Sequence, residues 1–162
     1  MKDAVQNVRE VSQLLRPSIL DDFGLNASLR WLAEGFAERT GKEVRITSSF
    51  TGRLDGTAET QIFRIAQEAL TNIARHADAT EVDVDFSSVD DQVVLEVRDN
   101  GRGMNTEVSC HGSGMVGMRA RARAIGASLV VRSRPGNGVS VLLKLPISKK
   151  TYVSQDSHSV GR

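Results

Sequence analysis

The stretch Gln61–Ala77, QIFRIAQEALTNIARHA, constrains this chain more than any other. Ile62, Ile65, Ala66, Ala69, Ile73 and Ala77 recur at three- and four-residue steps, the period of a helix with one apolar stripe. Glu68 and Asn72 are one turn apart, so their side chains stand one above the other at the border of that stripe. A carboxylate and a carboxamide placed there can face a cleft while the helix stays anchored in a core. Taken alone, such a pair is more often part of a solvated helix face, since Glu is a good helix former and mostly exposed. The glycine motifs that follow change that balance.

At 162 residues the chain suits one domain with short appendages and can bury a real core. Its 40% hydrophobic and 25% charged content is that of an ordinary soluble globular protein. A formal net charge of +1 gives no support to nucleic-acid binding, which relies on a basic field. Cys110 is the single cysteine, which excludes an internal disulfide, fits a reducing compartment and reads as an incidental thiol. No apolar run approaches the length of a membrane span, and the first residues show no secretory signal pattern.

In chain order, residues 2–15 read as a helix with a narrow seam of Ala4, Val8, Val11 and Leu15, too short to be stable without a partner. Pro17 ends it. A second helix is predicted from about Asn26 to Thr40, with Leu25, Leu29, Leu32, Phe36 and Ala37 inward, Trp31 half-buried and Gly41 as the stop. Val44 to Ser48 alternates as a strand, and Thr51 to Thr57 reads as a polar connection. After the central helix, Glu81 to Phe86 and Val93 to Val97 form an antiparallel hairpin through Asp90-Asp91. Residues 104–113 read as a loop, Met115 to Ile125 as a helix stopped by Gly126, and Ser128 to Ser133 and Val139 to Leu145 as strands joined through Pro135-Gly136-Asn137-Gly138. From Ser148 the chain is polar and expected to fray. The sum is an α/β two-layer sandwich, a mixed β-sheet with helices packed on one face.

Gly112-Ser113-Gly114-Met115-Val116-Gly117 satisfies GxGxxG. A dinucleotide fingerprint would follow a strand directly and place an acid about twenty residues on, where this chain has Arg132 and Arg134. A helix nevertheless begins at these glycines, and its N-terminus favours an anion that a backbone without Cβ atoms can approach. No glycine precedes Lys-Ser or Lys-Thr, so a P-loop is excluded. Asp99-Asn100-Gly101-Arg102-Gly103 as an isolated string is compatible with a plain loop. An Asp at the end of a buried strand is costly unless it meets a donor, and an exocyclic amine such as adenine's would serve.

These pieces in this order, with R-P-G-N-G-V-S-V-L-L-K-L-P after them, resemble the ATP-binding catalytic domain of bacterial sensor histidine kinases, in the wider family with gyrase B, Hsp90 and MutL (the Bergerat-type fold). Q-E-A-L-T-N-I-A-R-H-A resembles its N box, and D-N-G-R-G and G-S-G-M-V-G-M its two glycine boxes. L-R-P-S-I-L-D-D-F-G-L resembles the linker of the nitrate-sensor type, so the likeness covers roughly Leu14 to Pro146.

The resemblance implies ATP and Mg²⁺ as ligands, with Asn72 holding the metal, Glu68 taking a proton from the attacking imidazole and Asp99 accepting from the adenine amine. It further implies that Gly101 and Gly103 bound the adenine pocket, and that Gly112, Gly114, Gly117 and Met118 form the lid side. Arg75 and His76 would meet phosphate or ribose, although His76 lies close enough to the stripe to be a packed histidine instead. Arg119, Arg121 and Arg123 read as a solvated helix face. The closing segment usually carries Thr after its second glycine; this chain has Val139 there, which offers no hydroxyl to the adenine region.

The implied organisation is the end of a dimerisation helix and linker over residues 1–24, the ATP-binding domain over 25–147 and a tail over 148–162. The implied reaction is transfer of the γ-phosphoryl to a histidine, then to a response regulator, in a cytoplasmic domain of a homodimeric parent. The three histidines, His76, His111 and His158, do not precede the ATP domain, so this chain is expected to bind nucleotide without phosphorylating itself. The rival readings are an ATPase or serine kinase of the same fold, as in anti-sigma-factor kinases, and a non-catalytic interaction module.

Overall fold

A computed structural model describes residues 18–104, 113–147 and 152–153. Its elements run α1 (Ser18–Thr40), β1 (Glu43–Ser48), β2 (Arg53–Leu54), α2 (Gly56–His76), β3 (Glu81–Val89), β4 (Gln92–Asp99), α3 (Ser113–Ala124), β5 (Ser128–Ser133), β6 (Val139–Pro146) and β7 (Tyr152–Val153). Five strands form a sheet in the order β1-β3-β4-β6-β5, and β2 pairs with β7. The pairing of β1 with β3 is parallel and the rest of the large sheet is antiparallel, so the sheet is mixed. Parallel neighbours need a crossover, and α2 is carried on it.

Period-two alternation on β3, β4 and β6 turns Val82, Val84, Phe86, Val93, Leu95, Val97, Val141, Leu143 and Leu145 to one face, where they are buried. The stripe on α2 lies on that face, with Ile62 and Ile65 fully buried; each contributes roughly 1.5–3 kcal/mol relative to an exposed side chain. α2 packs between α1 and α3, which completes the two-layer α/β sandwich expected from the sequence.

Several local expectations are corrected. α2 begins at Gly56, six residues ahead of Ile62, the first residue of the apolar stripe, because Asp55 accepts from the N–H groups of Thr57 and Ala58 and caps it. Arg53 and Leu54, read as connection, form a strand with Tyr152 and Val153 of the tail that was expected to fray. α1 starts at Ser18 and carries a non-helical break at Gly24. On α1 Leu25, Leu29, Leu32 and Phe36 are buried as expected, but Ala33 is buried where Ala37 was foreseen. Trp31 is 57% exposed rather than half-buried, because it falls one residue off the Leu29–Leu32–Phe36 stripe. The Asp90-Asp91 turn has φ of 49° and 56°, both positive, as a two-residue hairpin turn demands. The seam over residues 2–15, Cys110, His111 and His158 lie outside the described residues.

Candidate nucleotide-binding site

A cleft of about 450 Å³ lies between α2, the end of β4 and the first turns of α3. Glu68, Asn72, Arg75 and His76 line it from α2, Asp99 and Gly103 from the β4 end, and Gly114 and Met118 from α3. Three stretches separated in sequence by up to some forty residues thus meet around one space. Ala69, Ile73, Val97, Met115 and Val141 give it apolar walls fit for a flat ring. Arg102, Met104 and Val139 also line it; the sequence marked Val139 as the position that usually carries Thr and Arg102 as part of the first glycine box, but not Met104.

Asp99 reaches the floor because it continues the inward alternation of Val93, Leu95 and Val97. It is 4% exposed. Oδ1 accepts from the Gly101 N–H at 2.7 Å, whereas Oδ2, at the cleft floor and with almost no contact with solvent, has no hydrogen-bond partner among the described residues. A buried acceptor left unmatched costs about 1–3 kcal/mol, so its persistence points to a donor supplied from outside the chain. Burial pushes the carboxyl pKa above its ordinary value, opposed by the backbone donors Gly101 and Val139 and by the charge of Lys42.

Gly101 does not line the cleft. A Cβ there would stand 2.1 Å from the Ala77 carbonyl oxygen, so this glycine lets the loop close against the end of α2 and supports the floor from behind. Gly103 does line it; its φ is +65° and a Cβ would stand 2.1 Å from the Arg134 carbonyl oxygen. Gly138, read from the sequence as a turn residue only, is the third support, with a Cβ position 1.9 Å from the Asp99 carbonyl oxygen. Its N–H donates to Gly101 O, Arg102 N–H donates to Ala77 O, and Gly136 N–H donates to Arg102 O. Asn100 points away from the cleft; its Oδ1 accepts from the N–H groups of Thr80 and Glu81 and holds the loop on β3.

On the opposite wall a Cβ on Gly114 would stand 2.2 Å from Glu68 Oε1 and 3.5 Å from Asn72 Nδ2, so α3 presses its first turn onto that pair. Gly117 faces open space and is not among the lining residues, and Gly112 lies outside the described residues. Arg75 and His76 are exposed at the rim, so His76 is no core histidine. Arg119 does not line the cleft, while Arg121 reaches Gln61 at 3.4 Å on α2 and Arg123 is exposed. Ser140, beside Val139, turns to the open face and donates to Glu96 at 2.7 Å, so it does not replace the hydroxyl that Val139 lacks.

Among the described residues no three His, Cys, Asp or Glu side chains stand close enough to form a metal cluster. The oxygens of Glu68 and Asn72 are a sparse, hard donor set, which suits Mg²⁺ because that ion keeps waters and draws further ligands from phosphates. No helix among the described residues is long and apolar enough to cross a membrane.

A two-layer sandwich with a helix-bounded cleft over a buried, half-satisfied aspartate defines a nucleotide-binding ATPase class. The chain belongs to the histidine kinase-, DNA gyrase B- and HSP90-like ATPase family, whose model matches residues 57–149. It is 42% identical over 106 residues to the sensor histidine kinase MctS of Rhizobium johnstonii, a match covering 65% of this chain and 23% of the relative. The chain therefore spans just under a quarter of that curated relative. The histidine kinase domain of the Erythrobacter litoralis EL346 blue-light activated histidine kinase superposes with a TM-score of 0.69 at 23% identity, over 78% of this chain and 62% of that one. The Acinetobacter baumannii histidine kinase AdeS gives 0.67 at 14% identity, over 91% and 84%. At these identities the likeness is one of fold.

Proposed function

We propose that the chain binds Mg·ATP in this cleft and serves as the catalytic domain of a two-component sensor histidine kinase. The observation that carries this reading is the orphaned Oδ2 of Asp99, an acceptor at the floor of an apolar-walled cleft. An exocyclic ring amine is the donor that fits it, and a ring carbonyl there would oppose it. The triphosphate then extends toward Asn72 and Glu68, with Arg75 and His76 at the rim.

In the transfer step the bond from the γ-phosphorus to the β,γ-bridging oxygen breaks and a bond to an imidazole nitrogen forms, with ADP leaving. Glu68 accepts the proton of the attacking imidazole, a role that requires geometry first and pKa second. Asn72 contributes an amide oxygen to Mg²⁺, which supplies neutralisation of charge on the phosphates. Most of the rate then comes from positioning and electrostatics. The acceptor histidine belongs to the dimerisation helices of a homodimeric parent, from which the phosphoryl passes to an aspartate of a response regulator, all in the cytoplasm. Residues 1–24 are the end of that helix and its linker, 25–147 the ATP-binding domain and 148–162 a tail. The 42% identity to a sensor histidine kinase favours this over a serine kinase of the same fold.

Calorimetric titration with ATP, with and without Mg²⁺, beside Asp99→Asn tests the reading. Saturable binding that the substitution weakens by about 10- to 150-fold, the equivalent of roughly 1.5–3 kcal/mol for a hydrogen bond to a charged group, is expected. No binding at millimolar ATP refutes it.

A further inference from the structure

Away from the cleft, a buried ion pair sits against the break in α1. Gly24 has φ 77° and ψ 179°, a backbone region that essentially only glycine occupies, so the change of direction there is built into the sequence. The half of α1 after the break is tied to the end of β1 and the residues after it: Ser48 Oγ donates to Asn26 Oδ1 and Asn26 Nδ2 donates to Phe50 O. Ser28 Oγ donates to Gly24 O at 2.8 Å within the helix. In the half before it, Leu20 is fully buried.

A polar tie to that half comes from Arg53. A Cβ added to Gly24 would lie 3.2–3.3 Å from Arg53 Cδ, Nε and Cζ, so the guanidinium lies across the break. Its NH2 group donates to the Leu20 carbonyl oxygen at 3.2 Å on the far side. Nε and NH2 also grip Glu59 Oε1 and Oε2 at 2.9 and 3.1 Å. Glu59 is 1% exposed and takes a further bond from the Leu54 N–H at 3.2 Å. A buried ion pair is a weak source of stability, because desolvation offsets the attraction, and its best-attested use is fixing one arrangement. Here the planar fork grips both oxygens of a carboxylate on α2 through two nitrogens and still donates to a carbonyl ahead of the break, a rigid geometry that the single nitrogen of an ammonium does not reproduce.

We propose that Arg53, held by Glu59, is a positioning residue that fixes the angle at which the segment ahead of Gly24 joins the ATP-binding domain. It thereby sets which way the cleft faces an acceptor on the dimerisation helices that this segment joins; this last step rests on the proposed function. Neither residue lines the cleft, so the pair acts on presentation and not on nucleotide contact.

The test places spin labels at Asp22→Cys and Glu38→Cys in the full chain with Cys110→Ser and reads their distance distribution. The native chain should give one narrow distance. The double variant Arg53→Met/Glu59→Leu, which leaves no orphaned charge, should at least double its width while the ATP Kd stays within twofold. Arg53→Lys, which keeps the charge but not the fork, should also broaden it, with a melting temperature nearer the native one. A narrow distribution in either folded variant overturns the proposal. Failure of the native chain to bind ATP would sink the proposed function alone, because the distance readout needs no nucleotide and circular dichroism melting then reports that the variants are folded.

Discussion

The floor and the far wall of the cleft are both built on glycines, yet for opposite reasons. At the floor, Cβ atoms on Gly101, Gly103 and Gly138 would stand 2.1, 2.1 and 1.9 Å from backbone carbonyl oxygens. At the wall, Gly114 meets only side-chain atoms, Glu68 Oε1 at 2.2 Å and Asn72 Nδ2 at 3.5 Å, and Gly117, on the same helix but not lining the cleft, meets nothing within 4 Å. The floor glycines are therefore demanded by the backbone of the fold, and Gly114 by the position of the Glu68 side chain. A shared motif letter hides two different physical demands.

Gly138→Ala should break the floor most severely. The clash is with backbone and φ is +67°, so roughly 3–5 kcal/mol of stability should be lost, read by denaturant unfolding. A fully stable variant would mean the floor can shift. Gly114→Ala sharpens the contrast: stability should move by less than about 0.5 kcal/mol. Phosphoryl transfer to an acceptor on supplied dimerisation helices should fall at least tenfold, about 1.4 kcal/mol, because Glu68 must swing away. Equal losses in fold and transfer would erase the distinction between wall and floor.

The next test turns on pH. Asp99 has a folded pKa raised by burial, so as pH falls through it the folded state takes up a proton before the unfolded state does. The contribution of this residue to stability therefore rises on acidification, over the window between the folded pKa and the ordinary carboxylate value. Nucleotide binding should weaken over the same window, since protonation removes the acceptor. The melting-temperature difference between native protein and Asp99→Asn, followed beside ATP titrations, isolates the effect; both falling together would contradict it. The smallest expected change is Gly117→Ala. In open space inside α3 it should stabilise by about 0.5–1 kcal/mol in thermal melts. A loss of ATP binding there with the fold strengthened would show that nucleotide lies against that turn.

Much of this was legible in the sequence because periodicity reports burial directly. The stripe on α2, the alternation that sends Asp99 inward, and the stops at Gly41 and Gly126 all follow from residue order. Long-range supports were not legible. Nothing local marks Gly138 as the partner of Asp99, because a P-G-N-G turn reads the same whether or not a carbonyl lies beneath it. Arg53 fell within a stretch read as a polar connection and nothing singled out Glu59, since pairing across a turn and burial leave no period. The start of α2 was missed although Asp55 stood in a capping position, because a cap lies outside the apolar repeat it serves. Trp31 was misjudged because size suggested burial where phase did not.

The three straps Arg102–Ala77, Gly136–Arg102 and Gly138–Gly101 have a kinetic consequence. They join the C-terminal end of α2, the Asp99 loop and the β5–β6 turn into one hydrogen-bonded unit. The three amides are expected to share one opening event in hydrogen exchange. A ligand that grips Asp99 slows that shared clock, and its occupancy is felt as far as the end of the helix that carries Arg75 and His76.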